Sequence, residues 1–503
     1  MDPAGEDFDV AVIGSGFGGA VVANRLALAG KRVLVLERGP WRDSLPVRAM
    51  GISRRSPYPY GWRFFTHALH SLHGQRCSWR FNRKGMFEVG VFPGLYTLAA
   101  SAVGGGSTAY GGLLEPPRNA DLWRDRHAQL APADIEGYYG KILADMGAVR
   151  VAREQPTPHS LWNFFPDATD PRCHPAEVQP CFATLLPTSA EQIGTTITFG
   201  PEQLPRQFCT YDSDSFLGSP GGAKASLDFI YLAPVLNKGV TVRDLCEVRS
   251  IRPVRDSQAT GYVLDFKDLS RGKLERITVP RVVLAAGTLN TLRLLFAGAE
   301  AADGLAAMPA LGKGFFGNGD LLGVLVNPQT STPSYHSAPG IGGLDVQGHE
   351  NQSIGMGGFP GVDALPLPRF VKRWLGTLFY VYGMGVDSAK ATVSYLNGRL
   401  HSDYDYRREP VYEELRAALR VVEQVSGKKI HALGKPLTPH MAGGARIGAN
   451  AQEGVIDHRG EVYGNPGLYV TDAAALPAPP GGAPSLAIAA WAHHVAEHMF
   501  DRT

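Results

Sequence analysis

Cysteine is scarce in this sequence, which has only five cysteines among 503 residues. Their odd number and wide separation argue against a disulfide framework and favour free thiols in a reducing compartment. Cys173, His174 and Cys181 lie near one another, but no second pair completes a tetrahedral metal site. We therefore predict no metal centre.

An excess of charge of either sign is also missing. The 49 basic and 47 acidic residues nearly cancel, so the net charge does not require a basic surface patch. We therefore expect no nucleic-acid partner. The chain has no run of about 18 apolar residues, which predicts that no segment spans a membrane. The first predicted strand begins near Phe8 and leaves no room for a signal peptide, so we expect a cytoplasmic protein.

The strongest motif is the segment from Asp7 to Glu37, which has the pattern of a strand, a glycine turn, a helix and a second strand ending in an acid. Gly14 permits a tight turn, Gly16 lets the backbone approach a pyrophosphate, and Gly19 allows close packing of helix on strand. The helix predicted over 18–29 directs its free N–H groups towards the phosphates. Glu37 is expected to accept hydrogen bonds from an adenosine ribose. The segment predicts a dinucleotide site.

A second glycine cluster bears on which dinucleotide binds. Glu37 suits a free ribose 2′-hydroxyl, which both NAD and FAD carry. Val103–Gly112 contains three consecutive glycines followed by Ser107 and Thr108, a set of backbone donors suited to a phosphate or a flat ring. The alternative is a flexible surface loop. We favour a site because these residues are small and apolar, and the downstream glycine segments favour FAD over NAD.

The remaining segments give a coarse prediction of structure. Trp41–Phe92 is rich in aromatic residues and proline and predicts a lid or an extended cover. We expect strands Leu378–Tyr382 and Ala391–Tyr395 to belong to one sheet. Hydrophobic periodicity also predicts helices over Leu227–Asn237, Glu413–Val425 and Ser485–Phe500, paired strands within Val240–Ile251, and one buried strand over Ile277–Ala286.

Four separated segments resemble the glucose–methanol–choline (GMC) oxidoreductase family, particularly its bacterial cholesterol-oxidase branch: Gly14–Glu37, Val103–Gly112, Gly222–Gly287 and His440–Phe500. The resemblance implies an α/β protein (α+β overall). A Rossmann-like FAD-binding domain would carry an interleaved substrate domain, built on a mixed or antiparallel β-sheet flanked by helices. The implied boundaries are 1–45, 206–320 and 436–503 for the FAD-binding domain, with 95–115 also lining the flavin, and 46–205 and 321–435 for the substrate domain.

The resemblance further implies FAD as cofactor and oxidation of an alcohol carbon, with hydride passing to the flavin N5 atom. His440, in the segment Pro439–Gly444, occupies the family's histidine position, and a histidine suits transfer of the hydroxyl proton. The cofactor-binding residues that follow from the resemblance are Gly14, Gly16, Phe17, Gly18, Gly19 and Glu37 for the ADP half, Gly104, Gly105, Gly106, Ser107, Tyr110, Gly111 and Gly112 along the flavin, Val248 at the adenine, and Gly287, Asp472 and Ala483 in the later segments.

Two departures from the family pattern bear on the chemistry. Ala483 stands where the family has an Asn or a His, and a methyl group cannot hydrogen-bond a substrate hydroxyl. Tyr110 replaces an Asn of the cholesterol-oxidase branch, and Asp363 is the only acid between positions 352 and 385, so sterol isomerisation is poorly supported. The candidates for the missing polar group are Tyr110, His336, His493 and His494.

Three functions stay open from the sequence. The first is an FAD-dependent alcohol oxidase or dehydrogenase that acts on a bulky, largely apolar hydroxylated substrate and passes electrons to oxygen or another acceptor. The second, suggested by Ala483, is non-redox or atypical flavin chemistry such as a lyase, isomerase, cyclisation or decarboxylation reaction. The third is a flavin-bound protein without catalysis, which the retained His440 disfavours.

Overall fold

The computed structural model describes residues 7–254 and 261–500. At its centre lies a parallel sheet whose strands, in spatial order, are Val240–Arg243, Val33–Leu36, Val10–Ile13, Val282–Leu284 and Leu468–Val470. Most of these residues are buried Val and Leu, as expected for a parallel sheet covered on both faces. Helix Phe17–Leu28 connects the first two strands in the chain and packs against the final helix, Ser485–His498.

A second sheet is antiparallel throughout and has six strands, in the order Lys429–Ala432, Leu321–Val326, Leu378–Met384, Ser353–Gly357, Gly342–Val346 and Cys173–Pro175. Helix Val411–Ser426 covers one face, where a side chain added at Gly383 would meet Leu415. Because neighbouring strand residues point to opposite faces, Tyr380 and Tyr382 occupy the other face. We call this the six-stranded sheet.

The segment predicted as a cover folds into regular structure. Its strands Leu69–Gly74, Ser78–Arg80 and Phe87–Phe92 join Leu95–Ala100 and Leu437–Thr438 in a mixed outer sheet, preceded by the short helices Gly61–Arg63 and Phe64–His67. The guanidinium of Arg42 is fully buried and donates to the carbonyls of Pro57, Lys84, Gly85 and Ser101. The Arg42 side chain therefore links the beginning of the segment Trp41–Phe92 to residues near its end by hydrogen bonds.

The remaining elements are short. The further strands are Leu113–Leu114, Val149–Arg150, Cys181–Phe182, Thr196–Phe199, Leu204–Gln207, Cys246–Pro253, Tyr262–Asp268, Lys273–Val279, Lys313–Phe315, Ala391–Leu396 and Arg399–Ser402. The further α-helices are Leu45–Ala49, Pro132–Glu136, Tyr139–Asp145, Leu161–Phe164, Thr288–Glu300 and Arg369–Leu375. Short 3-10 turns occur at Gly105–Thr108, Ala190–Gln192, Tyr406–Arg408 and Ala473–Ala475. Within residues 7–254 and 261–500, no helix is long and apolar enough to cross a membrane.

The predicted fold class is confirmed, but several local predictions were wrong. The helix predicted over 227–237 is present but irregular, with a π-helical turn over Asp228–Leu232 and a 3-10 turn over Ala233–Val235, where Pro234 has no N–H to continue an α-helical pattern. The single strand predicted over 277–286 is two strands that belong to different sheets, separated by Pro280.

The predicted pairing of strands was also wrong in two places. The strands within 240–251 do not pair with each other, since Val240–Arg243 joins the parallel sheet and Cys246–Pro253 begins an antiparallel sheet. Strand Leu378–Met384 lies in the six-stranded sheet, whereas Ala391–Leu396 pairs with Lys313–Phe315 and Arg399–Ser402. Alternating hydrophobicity identifies a strand but not its partner.

Candidate active site

A cavity of about 550 Å³ lies between the parallel sheet and the six-stranded sheet. In the parallel sheet Ile13 pairs with both Leu36 and Leu284, and Leu284 pairs with Val470. All four strands therefore end at one edge, the carboxyl edge, where the loops that follow them line the cavity. This is the usual ligand edge of an open α/β sheet.

The floor of the cavity is made of backbone in close contact. Gly14 has a φ of +96°, and a Cβ built there would stand 2.7 Å from the Ala285 carbonyl carbon. A Cβ at Gly18 would stand 2.7 Å from the carbonyl carbon of Thr471. Real Cβ atoms do not approach so closely, so any side chain at either position would push strands and helix apart.

The two glycine clusters of the sequence meet on this floor. Gly105 has a φ of +54°, and a Cβ there would stand 2.6 Å from the Cα of Gly16. The Gly104 N–H donates to the Ser15 hydroxyl at 3.1 Å. The clusters therefore form one continuous backbone surface, which we call the glycine cradle (residues 14–18 and 104–106).

Glu37 stabilises the glycine cradle by hydrogen bonds to the backbone and side chain of Ser15. Its carboxylate accepts from the Ser15 N–H at 3.0 Å, from the Ser15 hydroxyl at 2.7 Å and from the Gly39 N–H at 2.7 Å. Burial raises the pKa of the Glu37 carboxyl, and these hydrogen bonds oppose that rise. A carboxylate has about four lone-pair sites, so about one remains for a ribose hydroxyl. Glu37 therefore holds the turn in addition to the role predicted for it.

Asp472 performs a similar task at the opposite end of the cradle. Its carboxylate accepts from the Gly287 N–H at 2.9 Å, from the Thr291 hydroxyl at 2.5 Å and from the Ala474 N–H at 2.9 Å. Burial raises the pKa of Asp472 to about 6. The carboxylate thus joins the starts of helix Thr288–Glu300 and turn Ala473–Ala475 at the cavity wall.

His440 borders the cavity just after the last strand of the outer sheet, Leu437–Thr438, ends. Its Nδ1 lies 3.1 Å from Oδ1 and 2.8 Å from Oδ2 of the buried Asp320. Asp320 also accepts from the Thr438 hydroxyl, and that hydroxyl accepts from the His440 N–H at 2.8 Å. The imidazole is fixed through Nδ1, and among the described residues no hydrogen-bond partner engages Nε2.

The turn that carries Ala483 is tied to the same acid. Asn318 donates to Asp320 at 3.3 Å and to the Gly482 carbonyl at 2.9 Å. The Ala483 N–H points to Glu115 at 3.4 Å, and the Ser353 hydroxyl donates to the same carboxylate oxygen at 2.6 Å. Sequence reasoning missed Glu115, although an acid directly after the apolar strand Leu113–Leu114 is a signal that could have been used.

Tyr382 is the second functional candidate that sequence reasoning missed. Tyr382 borders the cavity and pairs with Leu322 in the six-stranded sheet. Leu322 follows Asp320 by two positions, so Asp320 and Tyr382 lie at the same end of this strand pair. The Tyr382 hydroxyl is buried and makes no hydrogen bond of normal geometry among the described residues, although the Ser353 hydroxyl lies close enough to interact with it. Burial, with a contribution from Glu115, raises the pKa of Tyr382 well above its usual range, so the phenol stays neutral. The neighbouring Tyr380 hydroxyl donates to the Pro339 carbonyl.

None of the four residues considered as substitutes for the missing polar group offers a free polar group to the cavity. The Tyr110 hydroxyl donates to the Ala225 carbonyl at 2.7 Å, and His336 pairs with Asp212 at the surface. His493 and His494 lie on the final helix and do not border the cavity. Burial lowers the pKa of His493 to about 4.

The structure brings most of the predicted site residues to this one cavity. The residues that line it are Gly14, Gly16, Phe17, Gly18, Glu37, Gly105, Gly106, Tyr110, Gly111, Val248, Gly287, His440, Asp472 and Ala483. The ones that stand behind its wall are Gly19, Gly104, Ser107 and Gly112. Ser107, for example, donates to the Gly104 carbonyl and accepts from the Leu227 N–H, so it braces the cradle.

Comparison with known proteins confirms the resemblance to the GMC oxidoreductases. A GMC oxidoreductase family model matches residues 404–492, and a model of an FAD binding domain matches residues 7–56. The chain is 26% identical to a cholesterol oxidase of Acinetobacter baumannii, over 98% of this chain and 94% of that protein. It is 26% identical to a cholesterol oxidase of Mycobacterium tuberculosis, over 97% and 90%.

A solved structure shares the fold. The crystal structure of pyridoxine 4-oxidase from Mesorbium loti aligns with a TM-score of 0.63 over 99% of this chain and all of that chain, at 16% identity. The cavity fits the cofactor that these comparisons imply. The glycine cradle leaves its backbone open for close approach, the start of helix Phe17–Leu28 lies at the floor, and Glu37 retains an acceptor site. FAD is the cofactor.

Proposed function

We propose that this chain, a GMC-type FAD oxidoreductase, oxidises a CH–OH group of a bulky, largely apolar substrate with His440 as the acid–base group. The observation that carries the proposal is the pairing of His440 with buried Asp320 at the border of the cavity that contains the glycine cradle. FAD, when bound, supplies a hydride acceptor at its N5 atom. The protein must then supply proton transfer and substrate orientation.

His440 can take the hydroxyl proton as the C–H bond breaks. Because Asp320 accepts at Nδ1, the neutral ring carries its proton there and presents an unprotonated Nε2. Nε2 accepts the substrate proton, and the adjacent carboxylate stabilises the imidazolium that results. The same pair returns the proton to solvent or to the reduced acceptor in the following half-reaction.

Tyr382 can provide the polar contact that Ala483 cannot. Its hydroxyl is a neutral donor that makes no well-formed hydrogen bond to the protein, with only Ser353 close by, and a buried donor of this kind gains most from meeting a substrate oxygen. The neighbouring Tyr380 cannot replace it, because its hydroxyl already serves Pro339. We therefore assign the substrate oxygen a position between the His440 and Tyr382 side chains.

The remaining wall supports an apolar substrate. Beyond the cradle it consists mainly of aromatic and aliphatic side chains, such as Phe182, Phe216, Leu322, Phe359 and Met384. Such walls recognise by shape and apolar contact, while a few polar groups set the orientation. The acceptor that reoxidises the enzyme is proposed to be oxygen or another small-molecule oxidant, and the cytoplasmic location stays a prediction.

The test is anaerobic mixing of the FAD-loaded protein with sterols, terpenols and aryl alcohols. A substrate should bleach the flavin absorbance and give a product two hydrogens lighter. A product of unchanged mass, formed without consumption of an acceptor, would instead favour the atypical chemistry suggested by Ala483. The absence of bleaching by every alcohol class would count against alcohol oxidation. Reoxidation in air, compared with a quinone dye, separates oxidase from dehydrogenase behaviour.

A further inference from the structure

Two segments of the chain combine positive charge with exposed aromatic rings. Residues 57–87 contain five Arg or Lys and no acid, and residues 364–377 contain three and no acid. The overall net charge of the chain is only +2, so the charge is concentrated here. In the described part of the chain, all exposed Trp and Phe side chains lie in these segments: Trp62 (77% exposed), Phe65 (66%), Trp79 (61%), Phe81 (54%), Phe370 (75%) and Trp374 (60%).

The two segments adjoin in space. A Cβ built at Gly61 would stand 3.6 Å from the Ala364 carbonyl, and the neighbouring Tyr60 ring packs on Gly361. On its other side the same stretch is bonded to the outer sheet, because the Asn82 amide donates to the Thr66 carbonyl at 2.5 Å. We call the exposed rings at 62, 65, 79, 81, 370 and 374, with the bases beside them, the aromatic–basic face.

Apart from Arg80, which pairs with the buried Glu247 at 2.7 Å, the arginines of this face lack acidic partners among the residues described. Within residues 7–254 and 261–500, no salt bridge reaches Arg63, Arg76, Arg369 or Arg373, whereas most other exposed arginines have a carboxylate nearby. Exposed aromatic rings clustered on a surface that meets only water are unfavourable, and the bases beside them are free to contact an anion. They fit a partner that is negatively charged at its surface and apolar just below.

We propose that the aromatic–basic face docks the protein on an anionic lipid bilayer. Tryptophan and phenylalanine partition into the interfacial region, while arginine and lysine contact anionic headgroups. Helix Arg369–Leu375 presents Phe370 and Trp374 one turn apart, so both rings can enter together. A second copy of the chain fits less well, because two like faces would repel each other. Single-stranded nucleic acid also fits less well, because the Trp62–Phe65 pair is tilted and the Trp79–Phe81 pair is edge-to-face, so neither is aligned as a stacking platform.

The face lies next to the cavity. Phe359 lines the cavity and its carbonyl accepts from the Val362 N–H at 3.3 Å, directly before the second segment. Phe87 lines the cavity and closes the first segment. Delivery of an apolar substrate from the bilayer into the cavity rests on the proposed function, but docking itself does not.

The test uses the FAD-loaded protein and sedimentation with vesicles of phosphatidylcholine alone or mixed equally with phosphatidylglycerol. We expect binding to the anionic vesicles to be at least about tenfold stronger than to the neutral ones. It should weaken as NaCl rises from about 50 to about 500 mM. The charge variant R63Q/R369Q/R373Q and the ring variant W62S/F370S/W374S should each lose about tenfold or more in partitioning.

A matched control removes one apolar and one basic exposed side chain far from the face, as L28S/K238Q, and should bind like the unmodified protein. Flavin absorbance and melting temperature check that each variant is folded. The proposal is overturned if neutral vesicles bind equally well, or if both face variants bind as the control does. Tighter binding to single-stranded DNA than to vesicles, or a dimer that only the face variants dissociate, would assign the surface to that other partner. Docking with no alcohol oxidation would contradict the proposed function alone.

Discussion

The two walls of the cavity differ in the atoms that form them, which are backbone atoms on one side and side-chain atoms on the other. The floor is backbone, and at Gly14 and Gly18 it has no room for a single extra carbon. The opposite wall is a regular antiparallel sheet whose side chains, including Tyr380 and Tyr382, project into the space without filling it. A backbone wall can hold a cofactor through main-chain groups, whereas the side chains of the other wall can be exchanged to suit a substrate. We propose that the floor binds the cofactor and the sheet contacts the substrate, and the following predictions test that separation.

The largest effect is expected on the floor. Gly18→Val would drive its side chain into the Thr471 carbonyl, which we expect to destabilise the fold by more than about 3 kcal/mol and to abolish FAD loading. The yield of yellow protein and its melting temperature measure this. Gly140→Ala is the matched control, because nothing lies within 4 Å of a Cβ there. A fully loaded Gly18→Val protein would contradict the close-packed floor.

The next effect concerns chemistry without loss of cofactor. His440→Gln should lower turnover by about two to four orders of magnitude, the contribution of a lost acid–base group. The flavin spectrum and melting temperature should be nearly unchanged, since no cradle residue is touched. The exposed His431→Gln serves as the control. Normal turnover in His440→Gln would remove this imidazole from the mechanism.

Asp320 acts through His440 and should have a smaller effect. Asp320→Asn can donate to Nδ1 and leave Nε2 protonated, so we expect turnover to fall about 10- to 100-fold. Because Asp320 does not touch the substrate in this proposal, kcat should fall while KM changes little. A purely structural role would lower the melting temperature and reduce the yield of active protein instead.

Tyr382 offers a sharper contrast with its neighbour Tyr380. Tyr382→Phe removes a hydroxyl that has at most a weak contact with Ser353, so stability should change little while kcat/KM falls about tenfold, the value of one hydrogen bond. Tyr380→Phe should lower stability and leave kcat/KM nearly unchanged, since the Pro339 carbonyl loses its hydrogen-bond donor. Equal behaviour of the two variants would argue against the assigned role of Tyr382.

The smallest effect on catalysis is expected behind the floor. His493 is fully buried, neither ring nitrogen has a partner among the described residues, and burial lowers its pKa to about 4. Between that value and about 6.5 the unfolded chain binds a proton that the folded chain refuses, so stability falls as the pH falls. His493→Phe should remove up to about 3 kcal/mol of this acid sensitivity, measured as unfolding free energy at pH 7 and pH 4.5, with turnover unaffected. Equal acid sensitivity in both proteins would contradict it.

Much of the floor was predictable because its signal is local. Gly14, Gly16, Gly18 and Glu37 lie within one βαβ unit, where turn geometry and hydrogen bonding dictate residue types at short spacing. The opposite wall gave no comparable signal. Asp320 and Tyr382 become neighbours only through the pairing of Leu322 with Tyr382. Periodicity recognised strand Ala391–Leu396 but assigned it to the wrong sheet for the same reason.

The sequence by itself determined the dinucleotide turn, its FAD preference and the general α/β class, because these depend on backbone conformations that a few adjacent residues impose. The tertiary structure alone decided the surroundings of His440, since Glu115, Asp320 and Tyr382 come near it only when distant strands pair. It also decided that a chain of balanced charge carries a basic, aromatic face. Composition sums charge over the whole chain, whereas folding places two acid-free segments side by side.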